Sequence, residues 1–574
     1  MHRTLTPRST LENLKREAKR WLTALRENDP DARARLGRAH PNAPATPTLR
    51  DVQHALAREH GLSGWTALAS QLAGATRADI DQAERVAWFI QNACPDHTVR
   101  GGPAHVMARH TAERMLVRHA ELARDSIYTA VVCGDVEAVE HMLAERPHAA
   151  SESGGPKGWA PLLYLCFTRL PLAAASDNAV AIARALLDRG ADPNAYFMAG
   201  DSHYTPLVGA IGEGEEDRPA HPQRDALVRL LLDRGAEPYD IQVVYNIHFH
   251  GDVLWFLKLI HERALALGRH ADWDDPRWSM LDMGGYGSGA RWHLEIALKK
   301  DDLELAEWVL AHGASPDAEP ARDPRFPRGT LYEEAIRRGF TGMADLLVRY
   351  GASPSAPKTL DGLDAFVDAC MRLDQERARA LLREHPEYLR APAAMHAASR
   401  HDLVDVVAFL LELGMSPDIA DPEGGGQRPL HVAAYHDSPH VTALLIERGA
   451  AVDVRDSKYG ATPLGFAVYA QHPRTIDVVG RFSRDVWNLA FAGNVERLRD
   501  VLSVEPGFAK AAHPDGETPL MCLPDDEGRA IEIVELFLAH GADPTLRNEQ
   551  GLTAADIAGR RALYEVAELL RAEG

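Results

Sequence analysis

Apolar residues in this chain fall into short stripes of helical period, each closed by a glycine. In "ARALLDRGADP" Ala183, Leu186 and Leu187 stand at i, i+3 and i+4, and Gly190 follows. "VRLLLDRGAEP", "AEWVLAHGASP" and "ADLLVRYGASP" repeat the pattern and end at Gly235, Gly313 and Gly351. Glycine there predicts a left-handed helix C-cap, and the Asp-Pro or Ser-Pro beyond it in most copies predicts a turn. A complementary stripe opens at Thr-Pro, as in "TPLGFAVYA" from Thr462, where proline takes the first helical position without forfeiting a hydrogen bond. The predicted elements are pairs of short helices joined by tight turns.

The pairs recur. Pro429 and Pro463 lie 34 residues apart, Thr518 and Thr553 35, Gly313 and Gly351 38, and Gly190 and Gly235 45, a copy stretched by insertion. A pair of two-turn helices cannot bury its apolar face alone, so copies at such a period must stack. The fullest copy, "RPLHVAAYHDSPHVTALLIERGAAVDVRD" (428–456), resembles the ankyrin repeat, whose T-P-L-H-x-A-A and L-L-x-x-G-A-x-P segments return about every 33 residues. The resemblance covers 124–572. It implies an all-α solenoid of helix-turn-helix units with loop fingers, in which the first helices end at a concave groove. It also puts His431 at the usual ankyrin histidine position, its ring bonded to neighbouring loops.

Three copies end on proline where Gly-Ala is expected, at Pro147, Pro386 and Pro506, and they open blocks near 124, 361 and 483. The expected organisation is a helical module over 1–76, a helical connector over 77–123, repeats over 124–355 with an insertion at 261–292, repeats over 361–480, and C-terminal repeats with a cap over 483–574. One histidine pair tests the assignment. "VYNIHFHGDVLWFLKLI" (244–260) aligns with "IYTAVVCGDVEAVEHML" (127–143), Gly251 on Gly134. His248 and His250 therefore belong to a first helix, where side chains two apart diverge by about 200°, and not to a strand that would chelate with both. His248 reads as a packing residue.

At 574 residues the chain exceeds a single hydrophobic core, which suits an array. Its formal net charge of −20 argues against nucleic acid and anionic membrane as partners. Apolar runs are short and interrupted, and the N-terminus lacks the apolar core of a secretory signal. The five cysteines, 94, 133, 166, 370 and 522, follow neither metal-ligand nor disulfide spacing, so a cytoplasmic setting is expected. "GGYGSG" follows no strand pattern, and G-x-S-x-G and H-E-x-x-H are absent. No cofactor and no metal are expected.

The insertion at 261–292 gathers Asp272, Asp274 and Asp282 with Trp273 and Trp278. It reads as a long finger loop pinned to the array by its tryptophans. The alternative is a ligand-binding or catalytic lobe, with His250 as acid or base and one of the aspartates as its partner. "DWDD" lacks the spacing and closing glutamate of a calcium loop.

The ends of the first helices carry Phe249 and His250, Lys299 and Lys300, Arg337 and Arg338, Arg372, Arg400, Tyr435 and His436, Tyr469, and Phe491. Helix C-termini favour cations through the macrodipole. Arginine and aromatic residues are also what binding hot spots are made of. We expect a non-catalytic scaffold, monomeric, whose groove holds a basic strip and an aromatic end for a protein partner of acidic character. Residues 1–74 hold 12 Lys and Arg against 7 Asp and Glu, a balance of +5, leaving −25 for the rest. Their helical periodicity and "LAREHGLSGWTAL" resemble the small leader found before bacterial ankyrin arrays. The positive balance permits docking to an acidic surface, the array included, although a solvated helix face is the simpler reading.

Overall fold

The computed structural model describes residues 11–27, 29–40, 43–44, 46–60, 62, 64–65, 68, 82–95, 102–212, 218–318, 329–337, 340–353 and 362–574. It divides into two compact units, one of 86–488 and one that joins 1–85 to 489–574. Nearly all of the regular structure is helical. Among the described residues the only sheet is a hairpin of two three-residue strands, Phe197–Ala199 and Ser202–Tyr204, an addition the apolar pattern did not announce.

Helix-turn-helix units stack in file along the larger unit. Thr205 and Thr462 cap first helices by accepting from the backbone N–H groups of Val208 and Gly465, with Pro206 and Pro463 at the next position. Several first helices then pass into their second through a residue in the left-handed region. That residue is Gly134 or Gly251 in some units and Asp301, Leu373, Asp402, Asp437 or Gln471 in others. The second helices close on left-handed glycines as expected, at Gly190, Gly235, Gly313, Gly351, Gly414 and Gly449. A non-glycine residue in this region costs about 1–2 kcal/mol. Gln471 is exposed at φ 57, so Gln471→Gly forfeits no packing and is expected to raise the midpoint of urea unfolding.

The proline-ended copies turn out as single 3-10 turns, Pro147–Ala150, Pro386–Arg390 and Pro506–Lys510. The unit at Thr518 departs further from expectation. Its first helix is reduced to the 3-10 turn Pro519–Met521, because Pro524 leaves no room for a second turn. The helix at 244–250 is likewise shorter than the alignment predicts, since Ile241–Ile247 is followed by a 3-10 turn at His248–His250.

Units are tied by carboxylates at the left-handed turns. Asp402 accepts from the N–H of Val441 at 2.8 Å and pairs with His440, and Asp437 accepts from the Thr475 hydroxyl at 2.9 Å and pairs with Arg474. His431, fully buried, accepts at Nδ1 from the N–H of Arg428 and bonds through Nε2 to the carbonyl of Val454 at 2.9 Å, which fixes the neutral Nε2–H tautomer. Beneath these ties Phe366, Met395, Val407, Leu410, Leu430 and Leu445 form a continuous core across consecutive units.

Helices Gln82–Ala93 and Gly102–Arg118 precede the first repeat. The backbone N–H of Arg169 bonds to the carbonyl of Ala93, and Lys157 reaches Gln91. Gly102–Arg118 also meets the first helix Pro463–Tyr469, so one helix of about 25 Å touches the far end of the same repeat series it introduces.

Candidate functional site

Two surfaces have the residue types of a site. The first is the region around the insertion. Trp278 is fully buried and Trp273 nearly so; they meet edge to face at 4.9 Å, and both stand against Trp308. His261 and His312 complete this aromatic packing from the second helices Val253–Ala266 and Leu303–Ala311 and the residue beyond. The Trp278 indole donates to the carbonyl of His312 at 3.3 Å. These rings fill space between consecutive second helices, which is how the insertion is held.

The aspartates of the insertion are occupied locally. Asp272 pairs with Arg269 at 2.9 Å, and Asp282 accepts from the N–H of Gly284. Asp274 is exposed. The side chain of His250 lies outside the described residues, so no geometry joins it to these carboxylates. Among the described residues no group of three or more His, Cys, Asp or Glu side chains is placed to hold a metal ion. Further along the insertion, Tyr286 reaches the first-helix aromatics Tyr245 and Trp292, and Phe249 stacks near His248 beside them. Phe249 and Tyr286 are exposed.

The second surface is the line of first-helix ends. Lys299 and Lys300 are exposed, and Lys300 donates to the carbonyl of His248 in the preceding unit at 3.0 Å. Arg337 lies in its helix with its side chain outside the described residues, and Arg338 lies outside them altogether. Arg372 is bound to Asp368 one turn back at 2.7 Å, so its charge is largely offset. Phe491 is half-buried.

Three consecutive ends differ from the others. Arg400 is exposed, Tyr435 and Tyr469 are 44 % and 49 % exposed, and His436 lies beside them. His401 and His472 join this group, although the apolar pattern did not single them out; His472 Nε2 bonds to the carbonyl of Tyr435 at 2.9 Å. Desolvation, and then the charges of Arg400, His401 and His472, push the His436 imidazole down to about 4. The aspartates of the same units are turned aside, Asp402 and Asp437 being spent on the unit-to-unit ties. In an acidic chain this leaves Arg400 as an exposed cation set among imidazole and tyrosine rings.

Residues 394–479, which contain that surface, match the family model for ankyrin repeats in three copies, and 515–549 match the model for a single ankyrin repeat. These two segments are ankyrin repeats. Ankyrin repeats are protein–protein interaction modules, and the family is typically non-enzymatic. No curated protein matches the chain significantly. Among solved structures, a chain of the complex between a predatory endopeptidase from Bdellovibrio bacteriovorus and an immunity protein aligns over 36 % of this chain and 96 % of that one, with 22 % identity and a TM-score of 0.24. Among the described residues no helix is long and apolar enough to cross a membrane.

Other functional-looking groups of the ankyrin array serve the fold. Arg169 is buried and donates to the carbonyls of Cys166, Thr168, Gly209 and Pro219, stitching adjacent units through one guanidinium. Nothing in the local sequence marks it, because its partners are backbone atoms brought close only by stacking.

Proposed function

We propose that this ankyrin array is a non-catalytic scaffold that binds an acidic segment of a protein partner at the first-helix ends of 394–479. The single observation that carries the reading is the cluster of Arg400, His401, His436 and His472 with the exposed rings of Tyr435 and Tyr469, while the neighbouring aspartates face the next unit. Arginine supplies a forked donor for carboxylates, and tyrosine supplies large contact area at low entropic cost. The exposed Lys299 and Lys300 add positive charge at the first-helix end of an earlier unit.

A short synthetic Glu/Tyr peptide serves as the probe. Binding by the full chain is expected to weaken as salt rises, because the contact is between exposed charges. Arg400→Glu with His436→Glu is expected to lower affinity at least tenfold with the far-UV circular dichroism unchanged. Lys299→Glu with Lys300→Glu is expected to have a smaller effect. Equal binding by the Arg400/His436 variant and the parent rejects the reading.

A further inference from the structure

The last helix of the chain, Tyr564–Glu573, is apolar on more than the face its own unit needs. Val566, Ala567 and Leu570 pack inward, yet Leu569 and Ala572 on a second side are also buried, with Leu569 5 % exposed, and Glu565 one turn before Leu569 is half-buried. A solenoid ends safely only when its terminal unit has a polar outer face or is covered by something else. Here the cover comes from the leader.

The leader's own core uses one side of its helix Leu49–Glu59, where Leu49, Val52 and Leu56 face inward. The other side presents Arg50, Gln53 and His54, again at i, i+3 and i+4. Arg50 donates to Glu565 at 3.4 Å, and Gln53, His54 and Trp65 line one small cavity with Ile531, Glu565 and Leu569. Gln53 is 5 % exposed, unusual for a glutamine on the outside of a small helical module. Nearby, Glu535 interacts with Thr48, Asp51 and Arg50. Charge agrees with the contact, since 1–74 balance at +5 and 527–574 hold nine acidic against five basic residues, −4.

We propose that the N-terminal leader is the cap of the C-terminal repeats, supplied from the opposite end of the same chain, and that the protection of 527–573 depends on it. The interaction surface on Tyr564–Glu573 thus has a committed occupant, the Arg50–Gln53–His54 side of the leader helix. This role is independent of the groove reading.

Hydrogen exchange of the full-length chain tests it. Arg50→Glu sets a third acid against Glu565 and Glu535 and is expected to speed exchange of 527–573 about tenfold, with 394–479 unchanged. Adding Glu565→Arg is expected to restore protection. Gln53→Glu, which places a carboxylate in the covered seat, is expected to act like Arg50→Glu. Unchanged exchange of 527–573 in both single variants, or acceleration that Glu565→Arg does not reverse, overturns the proposal. Peptides covering Trp21, which packs in the leader's own core, report whether the leader itself has stayed folded.

Discussion

Truncation of Trp278 to alanine is expected to cost about 3–5 kcal/mol of local stability, the range for removing a large buried aromatic side chain. The ring is fully buried, its indole N–H is satisfied by the His312 carbonyl, and it touches Trp273, Trp308 and His293. Its backbone adds a further cost, because Trp278 holds φ at 52 in the left-handed region, where a bulky residue persists only if its surroundings fix it. Alanine keeps that strain and loses the contacts that offset it. In a stacked array the damage stays near its source, since each unit touches only its neighbours. Hydrogen exchange in Trp278→Ala should therefore quicken across 270–292 and 303–312 while 394–479 keep their protection. A uniform loss of protection over the whole repeat series would mean that the insertion is a cooperative part of the core and not a pinned finger.

The insertion also illustrates what could be read in advance. Repeat units declared themselves because stacking imposes a period, and the period writes Thr-Pro, paired leucines and capping glycines at fixed distances. His431 was legible for the same reason, as its two bonds serve the turns on either side of one unit. Tryptophans in a segment that fits no repeat similarly implied a pinned loop, and Trp273 and Trp278 are buried against Trp308. The candidate site was less legible. Arg372 looked like a groove cation, yet Asp368 stands four residues earlier on the same helix, a spacing that already predicts the pair. His401 and His472 lie just past the ends that were aligned, and they matter through neighbours in adjacent units. The docking of the leader on Tyr564–Glu573 joins residues more than 500 positions apart, and only the opposite charges of the two segments hinted at it. Local pattern specifies a unit, whereas which surfaces meet is settled by stacking and by what is left uncovered at the ends.

Acidification should destabilise the larger unit well before its carboxylates are titrated. Burial, with Arg169 adding to it, pushes His221 down to about 3, and burial pushes His293 down to about 4 even though its Nδ1 bonds to the Gly289 carbonyl. Both rings are neutral in the folded chain, and His221 uses its unprotonated Nδ1 to accept from the N–H of Gln223. In the unfolded chain each titrates near 6.5. Below about pH 6.5 the unfolded state therefore binds protons that the native state refuses, and stability falls with pH by about 1.4 kcal/mol per unit for each histidine. The loss continues to about pH 4 for His293 and about pH 3 for His221, then levels off, which amounts to several kcal/mol in all. Burial also lowers His396 and His431, and their contributions have the same sign. Between pH 6 and 4.5 salt-bridged carboxylates remain ionised, so the slope of urea stability in that window reports the histidines. His293→Gln keeps a donor for the Gly289 carbonyl while removing the titration, and it is expected to reduce the slope by about one proton. A flat profile across the window, or an unchanged slope in His293→Gln, would show that these rings take up protons without unfolding and that the packing around them is open to water.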